Sequence, residues 1–288
     1  MRVLGPDDVR RVLPPGAAIE AMEHAFSDDR EIPQRVLLGR SLFMPGRVGS
    51  VTGVKVVSTT PGDPVGVVVV FDEEGRPLGV VDGPTLTAIR TGAASGLATR
   101  LLARPDARVM AMLGAGAMAF DQIQGVRAVR PIERILVWSR RVERAAILAE
   151  RVGGEVAADP SEAVAQADIV CTATPATEPL FDPDAIHEGT HLNAVGAYTP
   201  QMVEVPAQTV RDAFVVVDDV SAALAEAGDL LSAGVTPQVT LGDLLAGRVR
   251  APDGGVTLFK SVGIASQDVA AADAALAAAR RAGLGIEV

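Results

Sequence analysis

Three groups of residues in this chain have types and spacings suited to chemistry. The first is Gly114-Ala115-Gly116-Ala117-Met118-Ala119, a G-x-G-x-x-A run directly after the apolar stretch Val109 to Leu113. Gly114 permits a tight turn, Gly116 lets the backbone approach a pyrophosphate, and the small Ala119 lets a following helix pack close to its strand. Phosphates would then sit on the free N–H groups of a helix N-terminus, with Ala115, Ala117 and Met118 as further contacts. In a chain with 29 Gly the run alone says little. The apolar strand before it, the amphipathic segment from Phe120 to Val129 after it, and a second apolar strand, Ile135-Leu136-Val137-Trp138, make it a dinucleotide-binding turn.

The second group follows that second strand, where an acid would hold the ribose 2′-hydroxyl of NAD. The chain instead has Ser139-Arg140-Arg141. A hydroxyl and two guanidinium groups suit a 2′-phosphate, so NADP is preferred, with NAD still possible. The plainer alternative is that the arginines form the solvated first turn of the next helix. The third group is cationic. Lys55 lies within Val51-Thr52-Gly53-Val54-Lys55-Val56-Val57, and Arg90 borders the apolar stripe Leu86, Ile89, Ala93, Leu97 and Leu101 of a helix opened by Asp82-Gly83-Pro84-Thr85. Taken alone, each reads as a surface charge. Together with Arg35, after a Pro33-Gln34 bend, they can form a pocket that grips a carboxylate.

The elements that must position these groups fall into two kinds. Before residue 100, helices from Pro6 and over Pro15 to Phe26 precede extended pieces at 35–38, 50–57, 65–71 and 78–82, with a hairpin turn at Asp72-Glu73-Glu74-Gly75. This predicts a small, mostly antiparallel sheet. After it, strands and helices alternate: helix Glu143 to Val152, strand 155–157, helix Ser161 to Gln166, then strand and loop Ala167 to Pro175. Ligands of open α/β sheets gather at the carboxyl ends of strands, which makes Thr172, Ala173 and Thr174 dinucleotide neighbours and Val195 and Gly196 nicotinamide neighbours. Cys171 reads as a small buried apolar residue. Farther on, the pattern gives a strand Phe214 to Asp218, helices Val220 to Leu231 and Leu241 to Ala246, and an extended Thr257 to Lys260. A final Ala-rich helix runs from a cap at Ser266/Gln267-Asp268 to Arg281.

Composition removes several classes. A chain of 288 residues, 48% hydrophobic, has room for two domains, or for one domain with a large insertion. A net charge of −10 and few aromatics argue against a nucleic-acid partner. No apolar run reaches the ~20 residues that cross a bilayer. His24, His187 and His191 are scattered without partners at ligand spacing, so no metal site is expected. A single cysteine and the lack of a charged-then-apolar leader fit the cytoplasm.

At this point the chain resembles a family. Gly53-Val54-Lys55-Val56-Val57, the run from Asp82 to Thr91, Leu113-Gly114-Ala115-Gly116-Ala117 and the run from Thr257 to Gly263 are similar, in order, to segments of the ornithine cyclodeaminase/μ-crystallin family. The resemblance implies a Rossmann dinucleotide-binding domain, here 104–255. It also implies a smaller α+β substrate and dimerisation domain from both chain ends, 1–103 and 256–288, and a homodimer. It implies that Arg35, Lys55 and Arg90 bind the substrate carboxylate near the reacting carbon, and that Ser261 and Gly263 lie where the nicotinamide fits. Cyclodeaminases and alanine-dehydrogenase-like members carry an aspartate two residues after a Val-Gly; here Val195-Gly196-Ala197-Tyr198 puts Tyr198 there. A Tyr of ordinary pKa is a poor general base near neutrality. Gly-Ala-Tyr-Thr-Pro is most similar to the imine-reducing branch, which acts on Δ1-pyrroline-2-carboxylate or Δ1-piperideine-2-carboxylate. The proton for the imine nitrogen could come with the substrate, through water, or from Lys55 or Tyr198. Amino-acid dehydrogenation, cyclodeamination, and nucleotide binding without turnover are the alternatives.

Overall fold

The computed structural model describes residues 1–60 and 65–288. In chain order the elements are β1 (Arg2–Leu4), α1 (Pro6–Val12), α2 (Pro15–Ala25), β2 (Arg30–Glu31), β3 (Val36–Leu38), β4 (Ser41–Val48), β5 (Val51–Ser58), β6 (Gly66–Phe71), β7 (Pro77–Asp82) and α3 (Gly83–Leu102). Then come β8 (Val109–Leu113), α4 (Ala119–Arg127), β9 (Arg134–Trp138), α5 (Val142–Val152), β10 (Glu155–Val156), α6 (Pro160–Ala165), β11 (Ile169–Thr172), β12 (His191–Ala194), α7 (Ala207–Asp212) and β13 (Phe214–Val217). The chain closes with α8 (Val220–Glu226), α9 (Gly228–Ala233), β14 (Val239–Thr240), α10 (Leu241–Leu245), β15 (Thr257–Lys260), α11 (Ala265–Ala282) and β16 (Ile286–Glu287). The described residues divide into two compact units, Met1–Ala93 with Ile264–Val288, and Ala94–Gly263.

In the first unit the sheet runs β16-β1-β7-β6-β5-β4-β2, with β3 also on β4. β4 to β7 pair antiparallel, and β1 joins β7 in parallel. β4 has no counterpart among the extended pieces expected from the sequence, because Pro45 and Gly46 interrupt its pattern. The register explains how it tolerates them. Beyond β5, β3 pairs with Ser41 to Phe43 and β2 with Arg47 and Val48, so Pro45 lies in the gap between them, where a missing N–H costs no ladder bond. Helix α11 packs on β4, β5 and α2. A Cβ on Gly46 would lie 2.9 Å from the Ala265 Cβ, so glycine sets how closely the head of α11 approaches the sheet. Ala271, Ala272, Ala275, Leu276 and Ala279 bury its inner face. The sequence places a cap at Ser266, but the helix starts at Ala265. Ser266, Gln267 and Asp268 are all buried, and Gln267 Oε1 accepts the Ile264 N–H at 3.1 Å.

The second unit is a Rossmann-type layer structure. Its sheet is parallel, in the order β10-β9-β8-β11-β12-β15-β13-β14. Alternation along β8 sends Ala111 and Leu113 into one apolar core and Met110 and Met112 into the other, as a sheet covered on both faces requires. Three expectations are corrected here. Thr257 to Lys260 does not return to the first unit. It is β15, hydrogen-bonded between β12 and β13, and the crossing falls after Gly263. The earlier crossing lies inside the continuous α3, at Ala93, not after it. The single helix expected over Val220 to Leu231 is two, α8 and α9, broken at Ala227. A Cβ on Gly228 would collide with the Met202 carbonyl oxygen, and the adjacent Asp229 turns inward to accept the Glu204 and Val205 N–H groups at 2.6 and 3.0 Å.

Candidate functional site

Two arrangements, one in each unit, have the chemistry to take an anion. In the first unit, alternation along β5 puts Gly53 and Lys55 on its buried face. Thr87 and Arg90, three residues apart on α3, share a helix face. Lys55 Nζ donates to Thr87 Oγ1 at 2.7 Å, and that hydroxyl donates to the Gly83 carbonyl at 2.7 Å. Asp268 Oδ1 accepts from Lys55 Nζ at 3.3 Å and from Arg90 Nε at 3.1 Å. Gln267 Oε1 accepts from Arg90 Nη1 at 2.8 Å. Lys55 and Arg90 are only 6% and 5% exposed, so the surface-charge reading of each alone is overturned: their stems lie in the interior and their heads are tied to one carboxylate. Arg35, half-buried ahead of β3, lies near enough to act electrostatically on Lys55.

Burial lowers the Lys55 pKa to about 8; Asp268 opposes that shift, and Arg90 and Arg35 add to it. Burial would raise the Asp268 carboxyl, but the charges of Arg90 and Lys55 outweigh it and hold Asp268 below the ordinary carboxylate range. The result is a cationic cluster with one buried counter-ion, able to take a second carboxylate and to give up a proton near neutrality. Sequence reasoning found Lys55, Arg90 and Arg35 and missed Asp268 and Gln267, having assigned them to a helix cap. A signal was present: Asp268 heads the 3–4 spaced apolar row of α11, where an acid must be paired.

In the second unit, the strand order reverses between β8 and β11, and the loops after these two strands flank the switch point. Gly114 adopts φ +118°, and a Cβ there would sit 2.6 Å from the Ala173 carbonyl oxygen. Gly116 opens onto free space. A cavity of about 460 Å³ lies here, lined by Gly114, Ala115 and Gly116 on one side, Ala173 and Thr174 on the other, and Ser139, Arg140 and Arg141 at its end. Arg144, on the first turn of α5, also lines it and escaped the sequence reading. Bare backbone against α4 and guanidinium groups at the end fit a dinucleotide: pyrophosphate on the glycine turn, ribose by Ser139. Ala117 and Met118 lead into α4 without lining this cavity.

The remaining expected positions form a row along the carboxyl edge of the same sheet. The Ala173 N–H donates to Leu113 O, that of Val195 to Thr172 O and that of Ser261 to Ala194 O, at 2.9 to 3.1 Å. Two buried carboxylates hold this row, and neither was singled out in the sequence. Glu204 accepts the Thr174 N–H and hydroxyl and the N–H groups of Gly196 and Ala197 at 2.7 to 3.0 Å. Asp218 accepts the Ser261 hydroxyl and the N–H groups of Val262 and Gly263 at 2.7 to 3.0 Å. Burial raises both carboxyls, against the pull of these donors and, for Glu204, of Lys260. Lys260 Nζ is 2.8 Å from Asp229 Oδ2, both fully buried. Tyr198, next in line after Ala197, is 56% exposed. Cys171 is buried, which pushes its thiol up to about 12. Among the described residues no group of three His, Cys, Asp or Glu is placed to hold a metal ion, and no helix is long and apolar enough to cross a membrane.

The chain is 38% identical to a Δ1-pyrroline-2-carboxylate reductase of Bacillus cereus over 206 residues, 66% of this chain and 63% of the relative. It is 38% identical to the ketimine reductase mu-crystallin of Mus musculus over 195 residues, 67% of this chain and 62% of the relative. Each match thus spans less than two thirds of the relative's own length. The solved structure of Thermococcus litoralis Δ1-pyrroline-2-carboxylate reductase, in complex with NADH and L-proline, superposes over 100% of both chains with a TM-score of 0.94 at 31% identity. The model of the ornithine cyclodeaminase/mu-crystallin family matches residues 18–280, and the chain belongs to that family.

Proposed function

We propose that this protein reduces a small cyclic ketimine carboxylate, Δ1-pyrroline-2-carboxylate or Δ1-piperideine-2-carboxylate, to L-proline or L-pipecolate at the expense of NADPH or NADH. The observation that carries the reading is the buried Lys55–Arg90 pair on one counter-ion. A protein that only binds nucleotide has no use for a second anion site built at the cost of burying charge. The complex of the Thermococcus litoralis relative with NADH and L-proline supports the same pairing of ligands.

When bound, the reduced dinucleotide supplies the hydride. Gly114, Ala115 and Gly116 would hold its pyrophosphate, with Ala117 and Met118 leading into α4, and Thr172, Ala173, Thr174, Val195, Gly196, Ser261 and Gly263 would shape the nicotinamide side. Ser139, Arg140 and Arg141 favour the 2′-phosphate of NADPH. Arg35 and Arg90 grip the substrate carboxylate. With hydride supplied to the imine carbon, the C=N pair would move to nitrogen and Lys55 would give that nitrogen its proton. The products are a secondary amine and a neutral lysine, which regains a proton from water. Lys55 is favoured over Tyr198 as donor because its pKa, lowered to about 8, is matched to neutral pH. The unit boundaries bear on the domain reading: residues 104–255 lie wholly within the nucleotide unit, and 1–93 with 264–288 form the substrate and dimerisation unit. A homodimer is supported by Val36, Leu37 and Leu38 on β3, which are 54%, 62% and 70% exposed. One buried cysteine suits a reducing cytoplasm.

The test follows reduced-nicotinamide absorbance with NADPH and NADH separately on the two imines, and on pyruvate with ammonia, beside product analysis from L-ornithine. NADPH consumption on an imine, with a rate that falls above about pH 8 as Lys55 loses its proton, is the expected result. Oxidation only with pyruvate and ammonia would make the protein an amino-acid dehydrogenase. Proline from ornithine without added cofactor would make it a cyclodeaminase, and silence throughout would leave nucleotide binding alone. Tyr198→Phe with full activity and an unchanged alkaline limb would confine the proton to Lys55.

A further inference from the structure

Of the 26 basic residues in the chain, only Lys55 and Lys260 are lysine. Arginine serves at every other basic position, including the exposed Arg108, Arg140 and Arg141. Both lysines are buried, and each lies against an aspartate: Lys55 on Asp268, Lys260 on Asp229. Arginine would supply charge at either place and could not release a proton. A lysine at residue 55 is therefore informative about what the position needs, and so is the acid beside it.

We propose that Asp268 is a positioning residue of the carboxylate site, holding the Lys55 ammonium and the Arg90 guanidinium as one fork and keeping Lys55 charged between turnovers. A single oxygen, Oδ1, receives both cations, at 3.3 and 3.1 Å. The fork is fixed from both sides. Thr87 holds the far side of Lys55 and is itself bonded to the Gly83 carbonyl. Gln267 holds Arg90 and is itself bonded to the Ile264 N–H. The charged groups acting on Lys55 are Arg90 from α3, Arg35 from the segment ahead of β3, and Asp268 from α11. Arg90, Arg35 and burial all favour the neutral amine, and Asp268 opposes them. Removing its charge leaves Lys55 to burial, Arg90 and Arg35, and the lysine is the member that can discharge. Asp268 touches no reacting atom in this scheme. It acts through Lys55 and Arg90.

The catalytic consequence rests on the imine-reduction reading, but the test is arranged so that the two fail separately. The pH dependence of Lys55 acetylation by acetic anhydride, read by mass spectrometry on the wild type, Asp268→Asn and Asp268→Glu, needs no substrate. Fully buried Lys260 serves as the internal reference for folding. The expected wild-type midpoint is about 8. Asp268→Asn should lower it by about one pH unit or more, the scale of an opposite charge at this distance, and Asp268→Glu should restore most of it. Gln267→Glu, which adds an acid beside Arg90 and deletes nothing, should raise it, and this arm holds if Asp268→Asn does not fold. In turnover, Asp268→Asn should lower kcat at pH 7 about tenfold and move the alkaline limb in the same direction as the labelling midpoint. Dinucleotide affinity, read by nicotinamide fluorescence, should stay within about twofold. A folded Asp268→Asn with an unmoved midpoint, or a Gln267→Glu that does not raise it, overturns the proposal whatever the substrate proves to be. A shifted midpoint with no imine turnover in the wild type overturns the substrate reading and leaves the role of Asp268 standing.

Discussion

The two units offer positive charge by opposite means. The first buries its cations: Lys55 and Arg90 come from the interiors of a strand and a helix and share an internal counter-ion, Asp268. The second offers backbone at the Gly114 turn and keeps Arg140 and Arg141 exposed on a loop. Buried charges in a low-dielectric setting orient a small carboxylate strongly, and cost stability if the set is incomplete. Backbone donors and loop arginines cost little to build and suit a large, flexible, polyanionic cofactor that arrives and leaves on every cycle. The first arrangement suits precise placement of a few atoms, the second recognition of a long molecule.

If that contrast is sound, damage should stay on its own side. Arg90→Ala removes one member of the buried fork and should lower kcat/KM for the imine by about a hundredfold or more, with NADPH affinity nearly unchanged. Steady-state kinetics beside a fluorescence titration measure both, and a matching loss of nucleotide affinity would erase the separation. Gly114→Val is the mirror experiment. Its side chain would be forced against Ala173 in a backbone conformation that disfavours it, so nucleotide affinity should fall on the order of a hundredfold while the pH midpoint of Lys55 labelling stays put.

How far the sequence reveals each site follows from the same difference. The glycine turn was legible because a phosphate-binding turn demands particular residues at particular spacing in a strand–turn–helix context, all of which are local. Lys55 and Arg90 were legible as cations among apolar neighbours, although the burial of each needed the packing of α11 to become clear. Asp268 was not. An acid in the first turn of a helix is what capping and the helix dipole favour, and that local explanation hid a partnership with residues 213 and 178 positions away. Glu204 and Asp218 likewise act on loops distant in sequence or without pattern of their own. β4 escaped because Pro45 is tolerated only where β2 and β3 leave its edge open, which is a property of three strands together.

A smaller effect sharpens the account of the second site. Arg140→Ala with Arg141→Ala should raise the KM for NADPH about tenfold, the loss of a charge-assisted bond or two, and leave NADH within about twofold. Equal weakening of both would mean that the arginines are only the solvated start of α5. Arg144 gives a graded control, since it lines the same cavity from the next turn.

The smallest effect concerns how the second unit buries polarity that its site does not use. His191 is fully buried, bridging Thr257 Oγ1 at 2.9 Å and Asn193 Oδ1 at 3.2 Å, and Asn193 reaches Thr99 Oγ1 at 3.0 Å. Unlike the Lys55 cluster this network carries no charge: burial lowers the imidazole from its ordinary 6.5 to about 3. Above pH 6.5 the ring is neutral in folded and unfolded chains alike, and its contribution is complete. As pH falls from 6.5 toward 3 the unfolded chain takes up a proton that the folded one refuses, so stability must decline across that window. Thermal unfolding between pH 7 and 5 should show Tm falling in the wild type and falling less in His191→Gln, with turnover of the variant at pH 7.5 near that of the wild type. An equal fall in both proteins would mean that the imidazole accepts its proton while still folded, and the interior beneath this sheet would then tolerate charge as the Lys55 cluster does.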